Sequence, residues 1–234
     1  MDSELLAVNG ARMQGYRLLS SLYLKELTSE QIEALRTLNT STVESEDTLM
    51  AEGLTNMRRF VKGVLGNIRQ ELAADYAYAI LAAAPQSDKR FATPFESVFT
   101  SPEGLLMQDA RDGVYRYFCE EHLEVPQGLD IPEDHLAFLF DFMAQIIGRQ
   151  SKAISTQDMA EAERSADVQI AFLREHLLNW IDEYCDVLGC VAQTGFYKGV
   201  SQVTRSWVHG DYAVAEDMAA ELRKRHLNAV APQD

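Results

Sequence analysis

With 234 residues, 47% hydrophobic and 24% charged, the chain has the make-up of an ordinary globular protein that can bury a substantial core without staples. A formal net charge of −15 argues against nucleic acid or an anionic membrane surface as the main partner and leaves room for a cationic one. Cys119, Cys185 and Cys190 form neither a CxxC pair nor a disulfide framework, a pattern that suits a reducing compartment. The opening MDSELLAVNGARM has no cation before Arg12 and no long apolar run, so no secretory signal is expected. The most apolar window, residues 76–84, is far shorter than the roughly 20 residues a membrane-spanning helix needs. A soluble cytoplasmic protein with no direct membrane insertion is expected.

Helical spacing recurs from end to end and strand signals are nearly absent. A first helix is predicted from Asp2 to Lys25, with Leu5, Met13, Tyr16, Leu19 and Tyr23 mostly on one side. Thr28 followed by Gln31 reads as a capping box for the second helix. Ser45 or Asp47 starts the third, and a fourth spans about 66–84, stopped by Pro85. Residues 84–94 hold turn formers without a period and read as a loop. A helix over 110–122 follows, then a break at 124–132, the candidate hinge between subdomains 1–123 and 132–234. Beyond it the spacing predicts helices over 132–149, 156–178, 180–188, 191–208 and 211–228, with Gly210–Asp211 as stop and cap. The expected fold is an all-α globular bundle of about nine to eleven helices. Gly195 and Gly199 resemble a GxxxG pair, but polar Thr194 and Lys198 point to close packing in water rather than in a membrane.

The stretch GLDIPEDHLAFLF, residues 128–140, concentrates the chemistry. Pro132 suits the first turn of a helix, and Glu133 and Asp134 then sit beside the free N–H groups at its positive end. Behind them, Leu136, Leu139, Phe140, Met143 and Ile147 form one apolar row, and His135, Phe138, Phe142 and Ile146 a second. Either the helix is central, or one row lines a groove. Asp134 and His135 are neighbours about 100° apart on a helix and make no dyad with each other. A metal would need partners at i+3 or i+4 from His135, where Phe138 and Leu139 stand. No HExxH, GxSxG, P-loop or GxGxxG is present, so neither a metal, a cofactor nor a catalytic residue is assigned.

FATPFESVFTSPEGLLMQDARDGVYRYF, then IPEDHLAFLFDFMAQII, then TGFYKGVSQVTRSWV resemble, in order and spacing, the TorD/DmsD/NarJ-like family of redox-enzyme maturation chaperones. The resemblance runs from about Leu72 to Val208; the first 60 residues match only as helices. It implies an all-helical, non-enzymatic cytoplasmic helper, 1–234 being one chaperone domain. The helper would bind the twin-arginine leader peptide, the apoenzyme body, or both, of an immature molybdoenzyme before export or membrane docking. It also implies either a monomer or a domain-swapped dimer exchanging halves across 124–132. The family's P-x-D-H falls on Pro132, Asp134 and His135, its Pro-aromatic-x-Ser element on Pro94, Phe95 and Ser97, and its acid–Tyr pair on Asp75 and Tyr76. Where the family usually has Leu-Phe, this chain has Ala79 and Ile80, a departure that bears on which leader is recognised.

A leader of this class, cationic and then apolar, needs an apolar groove with an acidic approach. Exposed ion pairs give roughly 0–1 kcal/mol each, whereas burying one Leu- or Phe-sized side chain is worth about 1.5–3 kcal/mol. Phe95 and Phe138, with Tyr76 and Ile80 nearby, are therefore expected to grip the apolar part, and Glu96, Glu133 and Asp134 to orient the cationic part. Each has a plainer reading. Phe95, Phe138 and Tyr76 suit core packing, Asp134 capping alone, His135 a buried hydrogen bond and Ser97 a backbone bond. A helical adaptor with an unrelated partner, or a nucleotide hydrolase, are the competing functions.

Overall fold

Capping side chains set where the helices begin. The computed structural model describes residues 2–37, 47–64, 66–81, 92–125 and 128–230. Within them lie α1 (Asp2–Leu24), α2 (Ser29–Thr37), α3 (Thr48–Gly63), α4 (Ile68–Ala79) and α5 (Glu96–Thr100). Then follow α6 (Asp109–Glu120), α7 (Leu136–Ser155), α8 (Met159–His176), α9 (Ile181–Val191) and α10 (Gly195–Val230). The fold is all-α. The expected capping box forms before α2: Thr28 N–H donates to Gln31 Oε1 (2.9 Å) and Gln31 N–H to Thr28 Oγ1 (3.2 Å). Asp47 starts α3, its Oδ1 accepting from Leu49 N–H at 2.8 Å, while the alternative, Ser45, lies outside the described residues, as does Pro85.

α4 ends at Ala79, short of the expected 84, and two other boundaries differ because an acid read as a local cap finds a distant partner. The helices predicted over 191–208 and 211–228 are a single helix, α10, of 36 residues. Asp211 does not cap anything; it is buried, and takes Arg12 Nε at 2.6 Å on Oδ1 and both Arg12 Nη2 (3.0 Å) and Tyr16 Oη (2.7 Å) on Oδ2. A glycine inside a helix costs about 1 kcal/mol, less than abandoning this buried pair. Arg12 also donates to Gln169 (2.8 Å) and Asn9 (3.1 Å), and Asn9 to Gln150 (2.9 Å), so one polar network ties α1, α7, α8 and α10. The second boundary is the start of α7, at Leu136 rather than Pro132. Pro132–His135 is a turn closed by His135 N–H to the Pro132 carbonyl at 3.1 Å, and His135 is the N-cap.

α7 is the central helix, with thirteen of its 20 residues buried, both apolar rows included. It packs between α1 and α8, while α10 runs along α3, α8 and α9. At roughly 1.5–3 kcal/mol for each large side chain, this burial dominates the favourable side of folding. Helices from both sides of the 124–132 break share one apolar core. Gly199 does serve close packing: a Cβ there would lie 2.5 Å from the carbonyl oxygen of Gly53, so α3 and α10 approach backbone to backbone. All three cysteines are free, Cys185 buried and its thiol pushed up by that burial. Among the described residues, no helix is long and apolar enough to cross a membrane.

Candidate functional site

The two motif segments meet. Phe95 and His135 form an isolated antiparallel bridge; Glu96 N–H donates to the Asp134 carbonyl (3.1 Å) and Leu136 N–H to that of Pro94 (2.8 Å). The extended backbone this pairing requires is what delays α7 to Leu136. It also explains Asp134. Its Oδ2 accepts from Ser97 N–H at 2.9 Å, so the carboxylate caps α5, 37 residues away in sequence, rather than its own helix. Its Oδ1 is buried with no hydrogen-bond partner among the described residues.

His135 caps α7 with its ring: Nδ1 accepts from Ala137 N–H at 3.1 Å, which fixes the neutral tautomer protonated on Nε2. Burial lowers its pKa to about 4. The ring stands edge-on to Phe95, centroids 4.9 Å apart, and 5.7 Å from Phe138. Glu96, on the first turn of α5, points inward and is held by His176 Nδ1 (2.9 Å) and Asn179 Nδ2 (2.8 Å). Burial raises its pKa, with His176 working against the rise. Ser97 Oγ accepts from Gln108 N–H at 3.3 Å, and so fastens the 101–108 loop to α5.

Burial therefore divides the expected contact residues. Glu96 and Asp134 are 2% and 0% exposed and Phe138 3%, so the two acids are not the surface pair that was expected to orient a cation. Ser97 and His135 are buried as well. Phe95, Pro132 and Glu133 are half-buried and reach the surface. Glu133 receives a two-pronged pair from Arg111 (2.6 and 2.9 Å), whose guanidinium lies 4.8 Å from the Tyr115 ring centre, at the edge of a recess of about 510 Å³.

Tyr76 and Ile80 belong to another part of the core. The Tyr76 hydroxyl donates to the Tyr23 carbonyl at 2.9 Å and its ring packs on Tyr197; burial lifts its pKa to about 12. Ile80 is the C-cap of α4 and is buried. Asp75 holds the turn ahead of α10, accepting from the N–H groups of Gln193 (2.9 Å) and Thr194 (2.8 Å) and from the Thr194 hydroxyl (2.6 Å), and Thr194 Oγ1 in turn caps the helix by accepting from Tyr197 N–H (3.3 Å). Among the described residues no group of three or more His, Cys, Asp or Glu side chains is placed to hold a metal ion.

The 101–108 loop is a feature that sequence reasoning passed over. Leu105, Leu106 and Met107 are consecutive and exposed, beside a second recess of about 940 Å³. The available signal was an apolar triplet after the turn formers Pro102 and Gly104, with no helical period.

A family profile described as nitrate reductase delta subunit matches residues 43–186, from ahead of α3 into α9. The chaperone protein TorD of Aliivibrio fischeri is 31% identical over 212 residues, 85% of this chain and 92% of that one. The chaperone protein TorD of Vibrio vulnificus is 28% identical over 224 residues, 92% of this chain and 100% of its own. That of Ferrimonas balearica is 26% identical over 218 residues, covering 91% and 94%. The matched span holds both halves of the Phe95–His135 bridge, the Asp134 cap and the Glu96–His176 pair, and the relatives match over nearly their full lengths. The chain belongs to the nitrate reductase delta subunit family, the TorD/NarJ group of chaperones, which are not enzymes.

Proposed function

We propose that the chain is a cytoplasmic chaperone that binds the N-terminal leader, or the immature body, of a molybdenum-cofactor oxidoreductase and assists its maturation before export or membrane docking. The observation that carries this reading is the junction of the two motif segments, in a chain similar to TorD chaperones over most of its length. The junction has the form of a holder: the buried groups Glu96, Ser97, Asp134, His135 and Phe138 fix a short non-helical patch, and Phe95, Pro132 and Glu133 present it outward. Nothing in it requires a bond to be made or broken. The molybdenum cofactor is cargo of the partner enzyme. Tyr76 and Ile80, in another part of the core, are not contacts in this reading.

Calorimetric titration tests it, with synthetic peptides copying the N-termini of candidate molybdenum oxidoreductases and, separately, the cofactor-free enzymes. Saturable binding of either, weakened by Phe95→Ala with helical circular dichroism retained, is the expected result. If neither binds, and pull-downs recover only partners without a redox cofactor, an unrelated adaptor role replaces this reading. The 124–132 segment is the proposed exchange point of a domain-swapped dimer; light scattering after chromatography distinguishes dimer from monomer.

A further inference from the structure

Val98, Phe99, Pro102, Leu105 and Leu106 line the 940 Å³ recess together with Val187 of α9. We infer that this recess seats the apolar segment of a partner peptide, with the peptide's cationic residues toward Glu103 and Glu183. The inference rests on the leader-peptide reading and names the place where the peptide lies.

Three consecutive apolar side chains in the open are unusual, because exposed leucines are normally scattered singly. Leu105, Leu106 and Met107 are 51%, 45% and 58% exposed. They are held there rather than left loose. Gly104 and Met107 adopt φ of 65° and 60°, and a methionine in that left-handed region is uncommon. Leu105 N–H donates to Ser101 Oγ (3.1 Å), Gln108 Nε2 to the Leu106 carbonyl (2.9 Å), and Gln108 N–H to Ser97 Oγ. The floor is firm too: the Phe99 ring lies 5.4 Å from Trp180 and 5.5 Å from Tyr184, both buried.

Charge selects the occupant. On α9, Asp182 and Asp186 are already paired with Arg205. Glu103 and Glu183 line the recess, are exposed, and form no ion pair among the described residues. An apolar peptide carrying arginines complements that rim. A second copy of this chain, itself at −15, would bring acid against acid. Thr93 on its lining is two residues from Phe95, and Gln108 on its lining is bonded to Ser97, so the recess adjoins the motif patch in the chain.

The test uses the full chain and a synthetic peptide spanning the partner enzyme's paired arginines and the apolar stretch after them, beside the same peptide with its arginines replaced by glutamine. Leu105→Asp with Leu106→Asp is expected to raise Kd at least about tenfold with thermal midpoint unchanged, since two half-exposed leucines lose their burial on binding. Glu103→Gln with Glu183→Gln is expected to weaken the arginine peptide about fivefold at low salt and leave the glutamine peptide unaffected. A benzophenone photocrosslinker in place of Leu106 is expected to capture the peptide. An unchanged Kd in the leucine variant overturns the placement, whatever the glutamates do. If Phe95→Ala still abolishes binding in that case, the leader-peptide reading survives it; if the unaltered chain binds no peptide, both fall.

Discussion

Two buried acids, Asp211 and Asp134, are treated in opposite ways. Asp211 meets Arg12 with both oxygens and Tyr16 with one, inside a network that spans four helices. Asp134 has one oxygen on the Ser97 N–H and the other unanswered, next to Glu96, whose pKa burial raises, and His135, whose pKa burial lowers. The first arrangement is saturated and welds continuous helices together. The second holds a short stretch of extended backbone against the pull of helix formation, and it lies beside a loop that sets three apolar side chains in water. Incompletely satisfied polar groups at a shaped surface patch are where a protein gives up stability for a contact surface.

Changes at either acid sharpen that contrast. Asp211→Ala leaves Arg12 buried without its carboxylate and is predicted to cost about 3–5 kcal/mol in urea unfolding, with no specific effect on peptide affinity in variants that still fold. Equal loss from a surface acid such as Asp217 would break the comparison. Next is pH. With a folded pKa of about 4 for His135, against about 6.5 when unfolded, the unfolded chain takes up the proton first. Its contribution, full above pH 6.5, is predicted to fall by roughly 3 kcal/mol as pH drops toward 4. Glu96 acts with the opposite sign: its raised pKa favours the fold at low pH and that advantage is lost as pH rises through it. Urea midpoints across pH 4–7 for the wild type, His135→Asn and Glu96→Gln separate the two, the first variant flattening the acid loss and the second steepening it.

Asp134→Ala is predicted to cost about 1–2 kcal/mol, the range for losing a helix cap, and to weaken peptide binding while far-ultraviolet circular dichroism changes little. A cost near that of Asp211→Ala would show that the patch is as much a structural weld as the network. The smallest effect belongs to Glu133→Gln, predicted to lower stability by under about 1 kcal/mol because its pair with Arg111 is part-exposed.

Most of the fold was legible because helical periodicity and short-range caps are local signals. Thr28 with Gln31, and Asp47 ahead of α3, perform as their spacing indicates. The apolar rows after His135 mark α7 as central, and it is. Two errors share a cause. Gly210–Asp211 and Pro132–Asp134 look like local start signals, yet Asp211 is claimed by Arg12, 199 residues earlier, and Asp134 by Ser97. Spacing along a chain cannot distinguish a carboxylate facing its own helix from one facing another. At the candidate site, the segments brought together were legible from the motif. The inward turn of Glu96 was not, because its partners His176 and Asn179 sit on elements with no sequence relation to it. Asn9 and Arg12, polar groups on the buried side of a first helix otherwise apolar there, were the available hint of the network.

α10, at 36 residues and therefore about 54 Å long, carries Asp211, the partner of Arg12 on α1, 199 residues earlier. Because α3, α8 and α9 all pack along that one rod, their docking depends on contacts between distant parts of the chain, which slows folding relative to a bundle of neighbouring hairpins.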